Sequence, residues 1–144
     1  MILNGKEIRT ALGAITVFQD IPLSHTKKRA LSESEDNLLS SMFNTIMTKS
    51  ENEYKKFKTS SNCITIKNRL SIKLDFLFSN REIKLLKEAV DVCIAESEMR
   101  QDCSINDYFN GDQYDICIDD FINLSIFLQK QGASFLGPEL DLDS

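Results

Sequence analysis

Between residues 106 and 120 the chain reads NDYFNGDQYDICIDD, with five Asp, no Lys or Arg, and three aromatics set among them. Side chains of these types at this spacing can do three things. They can hold a hard cation, divide acid and base duties across a cleft, or meet a cationic surface. The cation is tested first. A twelve-residue calcium loop takes oxygen ligands at positions 1, 3 and 5, a glycine at 6 and a bidentate carboxylate at 12. With Gly111 at the sixth position, Asn106 fills the first, but Tyr108 falls at the third and Cys117 at the twelfth. The expectation is a solvated acidic loop with no metal and no cofactor.

Acid–base catalysis would use carboxylates close enough to cooperate, and Asp115, Asp119 and Asp120 are so spaced. No third group is placed by any motif to orient them. A nucleophile would need a base, and His25 is the sole imidazole, in the polar run SHTKKR. Cys93 falls on an apolar helical stripe and Cys63 opens an apolar run, so both read as small core residues. Cys103, in QDCSIND, is the thiol in the most polar setting. A small enzyme or ligand-binding domain built on the Asp and Cys residues of 103–120 is therefore the second reading. An accessory subunit of a larger assembly is the third. No Gly-rich phosphate loop occurs.

Two basic clusters, Lys27-Lys28-Arg29 and Lys55-Lys56-Phe57-Lys58, raise nucleic acid as a partner. The stretch FSNREIKLLKEAV (78–90) also resembles, over about ten residues, the opening of the helix-turn-helix domain of LuxR-type regulators. A recognition helix with polar and basic groups would have to follow. The chain continues instead as VCIAESEMRQDCSIND, which phosphate would repel. An ordinary capping box accounts for the shared residues, no function is carried over, and nucleic acid is not the expected partner.

Protein recognition fits the charge better. Residues 1–90 hold 15 Lys/Arg against 10 Asp/Glu, while residues 91–144 hold 2 against 12. The second part is thus at −10 within a chain whose net charge is −5. Such a field attracts a basic surface and speeds association. Aromatics among the acids supply anchors of the kind that dominate interface energy. The expected partner-binding residues are Asp107, Tyr108, Asp112, Tyr114, Asp115 and Asp119. The expected function is a small acidic inhibitor of a basic partner. Immunity proteins, which neutralise a basic toxin or nuclease by covering its substrate-binding surface, share this size and charge; the analogy rests on those two features.

The elements that must position these residues are readable in part. At 144 residues the chain is expected to form one domain, residues 1–144, burying roughly two thirds of its unfolded surface. The opening MILNGKEIRT lacks a signal-like apolar run, and the apolar stretch 121–128 is too short to span a bilayer. Four cysteines without a CxxC read as reduced thiols in a cytoplasmic protein. ALGAITVFQDI (11–21) reads as a strand, and Asn4-Gly5 as a hairpin turn ahead of it. Ser32-x-x-Glu35 offers a capping box for a helix from about residue 34 into the fifties.

In CITIKNRLSIKLDFLF (63–78) Ile64, Ile66, Leu70, Ile72, Leu74, Phe76 and Phe78 fall on even numbers, which predicts strand, as a hairpin through an odd-length loop or, alternatively, one long bent strand. Ser79 and Glu82 predict a second capping box, with Phe78 and Ile83 as its hydrophobic staple. Ile83, Leu86, Val90, Cys93 and Ile94 form the buried stripe of the helix that follows. A last helix is expected from Asp119 or Asp120 to Lys130-Gln131, stopped by Gly132, with a frayed tail over 136–144. The fold class is α+β: a small, mostly antiparallel sheet from 11–21 and 63–78, covered by about three helices. The alternative is a helical domain with one hairpin.

Overall fold

The computed structural model describes residues 1–20, 30–58, 71–99 and 118–136. Within them the order is β1 (Ile2–Asn4), α1 (Gly5–Asp20), α2 (Glu33–Tyr54) with a 3-10 turn at Lys55–Lys58, β2 (Lys73–Asp75), α3 (Asn80–Met99) and α4 (Ile118–Leu136). The class is α+β: four helices dominate, with one two-stranded antiparallel sheet. Its register pairs Ile2 with Asp75, Leu3 with Leu74 and Asn4 with Lys73.

The strand expected over 11–21 is, as far as Asp20, a helix. Ala11, Ala14, Ile15, Val17 and Phe18 are all fully buried, as Ile8 nearly is, so α1 is apolar round most of its circumference. Packing against α2, α3 and α4 together makes it a central helix. A window confined to 11–21 hides the helical period, which the partly exposed Arg9, Leu12, Thr16 and Gln19 mark over the longer span. The turn at Asn4-Gly5 is also different. Asn4 Oδ1 accepts from the Glu7 N–H at 2.8 Å, and Glu7 Oε1 accepts from the Asn4 N–H at 2.9 Å. That reciprocal box starts a helix instead of a hairpin. The sheet therefore uses residues 2–4, not 11–21.

Other expectations meet the structure directly. Ser32 and Glu35 form the predicted box at the start of α2, and Ser79 and Glu82 form the one at the start of α3, with bonds of 2.8 and 3.2 Å. Phe78 and Ile83 are both in the core, as the staple requires. Ile83, Leu86, Val90 and Cys93 are buried along α3, and Ile94 packs against them half-buried. Of the strand expected over 63–78, only Lys73–Asp75 is strand among the described residues, and Ser71 is helical. Ile72, Leu74, Phe76 and Phe78 nevertheless alternate inward against exposed Lys73, Asp75 and Leu77. Phe76 and Phe78 stack with ring centres 5.5 Å apart. The hairpin expected within 63–70 lies outside the described residues.

Helix α4 starts at Ile118, close to expectation, but continues to Leu136 through Gly132. A glycine inside a helix costs about 1 kcal/mol relative to alanine, which lowers stability without ending the hydrogen-bond ladder. The remainder of the expected frayed tail, 137–144, lies outside the described residues. One core cluster joins Phe18 of α1, Met42 of α2, Leu74 of β2, Leu86 of α3 and Phe121 of α4.

Candidate functional site

Helices α3 and α4 bracket the acidic segment. Their contact is the most extensive between any two elements. Ser125 Oγ donates to Asp91 Oδ1 at 2.6 Å, and Lys87 Nζ donates to Asp91 Oδ2 at 2.7 Å. Asp91 lies eight residues before the end of α3, and Ser125 seven after the start of α4. Lys6 and Asp120 set the start of α4 beside the start of α1, while Gln19–Asp36 and Arg81–Ser34 set the end of α1 and the start of α3 beside the start of α2, so α3 and α4 pair antiparallel as a helical hairpin. The end of α3 at Met99 and the start of α4 at Ile118 thus lie at the same end of that hairpin.

Of the expected partner-binding residues, Asp119 is described, exposed in the first turn of α4. Asp107, Tyr108, Asp112, Tyr114 and Asp115 lie outside the described residues. So do His25, Cys63, Cys103, Cys117 and the cluster Lys27-Lys28-Arg29. Cys93 is a buried cysteine on the core side of α3, as expected for a small core residue.

The next residue along from Asp119 behaves differently. Asp120 is 8% exposed and receives Lys6 Nζ at 3.0 Å on Oδ1. This pair joins the first turn of α4 to the first turn of α1, beside a cleft of about 150 Å³ that Asn4, Glu7, Thr10 and Asn123 also line. A carboxylate in a helix's first turn is favoured by the helix dipole, and the lysine supplies a counter-charge. Asp120 therefore ties the first turn of α4 to α1. Sequence spacing alone groups it with Asp115 and Asp119 as an acid–base candidate. Its contact with Lys6 spans 114 positions, and nothing local signals it. The Asp91–Ser125 bond escapes for the same reason, though Lys87 and Asp91 at i and i+4 are a local hint of an ion pair.

The basic residues in view are dispersed. Lys55 and Lys56 are exposed at the end of α2, and Lys56 pairs with Glu53 at 2.9 Å. Asp75, on β2, receives the N-terminal ammonium at 3.0 Å. That hydrogen bond and then the ammonium's charge hold its carboxyl below the ordinary carboxylate range. Among the described residues no three His, Cys, Asp or Glu side chains gather as metal ligands, and no helix is long and apolar enough to cross a membrane. Comparison with protein-family models, curated proteins and solved structures finds no match to this chain.

Proposed function

We propose that this protein is a small acidic inhibitor that binds a basic protein, in the manner of an immunity protein covering the substrate-binding surface of a toxin or nuclease. One observation carries the reading. Residues 96–120 contain eight Asp or Glu and a single Arg, and the α3–α4 hairpin gathers both ends of that run at one end of the helix pair. Like charges concentrated in a short stretch of chain create a stronger long-range field than the same charges dispersed along it. Asp107, Asp112, Asp115 and Asp119 supply the field and the rim contacts, and Tyr108 and Tyr114 supply anchors. Asp120 and Asp91 are structural, holding the hairpin on which the segment is mounted.

The test begins with the tagged chain as bait and the captured basic protein purified. Its catalytic activity is then followed against added inhibitor. Stoichiometric loss of that activity, weakened by Tyr114→Ala and by Asp112→Asn, supports the proposal. Capture without any loss of the partner's activity refutes the inhibitory role.

A further inference from the structure

Strand β2 has two edges, and β1 occupies one. Phe76 N–H donates to the Met1 carbonyl at 2.8 Å, and the Met1 ammonium donates to the Phe76 carbonyl at 3.1 Å. Moving two residues along the register, Leu3 and Leu74 form the next pair of this kind. The peptide groups of Lys73, Asp75 and Leu77 therefore point to the opposite edge. There the Lys49 ammonium of α2 donates to the Asp75 carbonyl and lies 5.1 Å from the centre of the Phe76 ring. On the outer face, Leu77 is 96% exposed and Ile2 59% exposed. An edge with outward peptide groups and exposed large apolar side chains is a template for strand addition.

We propose that this edge pairs with its own counterpart in a second copy of the chain, β2 against β2, antiparallel about a twofold axis at Leu74. Three features select a second copy as the occupant. Lys73 of each copy falls opposite Asp75 of the other, so the edge is complementary to itself in charge. Both residues turn their N–H and C=O groups outward, so they meet as a fully hydrogen-bonded pair, while Leu74 faces Leu74 in the intervening position. The exposed face of α2 that includes Lys49 consists otherwise of Asn37, Ser40, Ser41, Asn44, Thr45, Thr48 and Asn52, bordering an open groove of about 740 Å³. Short uncharged side chains there set no like charge against a second copy. A carbonyl has two lone pairs, so Asp75 accepts from the second strand while keeping Lys49. The product is a four-stranded sheet with both cores on one side. This contact is separate from the acidic segment and does not rest on the inhibitor reading.

The full chain is followed by sedimentation velocity and equilibrium up to about 0.5 mM, a range that covers weak dimers. Wild type is expected to dimerise. Lys73→Asp and Asp75→Lys, each alone, are expected to weaken dimerisation about thirtyfold, since each change makes two attractive cross-strand pairs repulsive. Mixing the two variants in equal amounts restores a dimer, because each cross-strand pair then joins an aspartate of one variant to a lysine of the other. Thermal melts confirm that both variants fold. A wild-type monomer throughout overturns the proposal and makes Lys49 the guard that keeps the edge closed. A dimer that survives both single reversals overturns the edge, and failure of the mixture to dimerise overturns the register.

Discussion

Two neighbouring aspartates show how much the setting of a side chain decides. Asp119 is exposed, whereas Asp120 is buried against Lys6. Removing the lysine leaves a carboxylate in a poorly solvated place. Because the Lys6 side chain is 56% exposed, the penalty is smaller than for a fully buried pair. Lys6→Ala is expected to cost about 1–2 kcal/mol in denaturant unfolding, and adding Asp120→Asn should recover part of it. Additive losses would contradict the pairing.

Asp75 offers a pH test with a definite sign. Its folded carboxyl titrates below the ordinary range, so its contribution is present above that range and lost as pH falls through the depressed folded value. Melting temperatures of wild type and Asp75→Asn should differ at neutral pH and converge in strong acid. A gap that persists in acid would mean the asparagine acts through packing instead.

Helix starts are the most legible elements, because a capping box is a local interaction written in four residues. Ser79→Ala should cost about 1 kcal/mol, and Asn4→Ala about the same, read from denaturation midpoints. Asn4 is the more informative of the two. Asn-Gly is a strong hairpin signal, and it masks the Glu three positions after Asn4 that completes a cap. An unchanged midpoint for Asn4→Ala would return Asn4-Gly5 to a passive turn. The period-two run Ile72, Leu74, Phe76, Phe78 is readable because one face is exposed and the other is not. Helix α1 reads as strand because the window 11–21 is apolar and β-branched, and its helical period shows only over the longer span, where Arg9, Leu12, Thr16 and Gln19 recur three and four apart on the partly exposed face. The end of α4 is hidden because a glycine stops a helix only where nothing else sustains it. The candidate site divides in the same way. Its acidity is a property of composition and can be read directly, whereas its anchors, Lys6–Asp120 and Asp91–Ser125, join distant parts of the chain and cannot.

At the scale of the molecule, the central feature is the charge split, with 12 acids against 2 cations after residue 90. The pairing of α3 and α4 sets the helix ends that flank most of this acidity, at Met99 and Ile118, at the same end of the pair. Steering of this kind acts on association, falls with ionic strength, and leaves dissociation largely to buried anchors. The most direct test is the association rate of the captured partner, measured at low and moderate salt. The proteins compared are wild type, a combined Asp112→Asn, Asp115→Asn, Asp119→Asn variant, and a Lys55→Gln, Lys56→Gln variant. The acidic-surface account predicts that the triple variant associates more slowly with a flatter salt dependence, while the lysine variant matches wild type. An unchanged rate for the triple variant, with binding lost in the lysine variant, would contradict it and move the functional surface to the basic part of the chain.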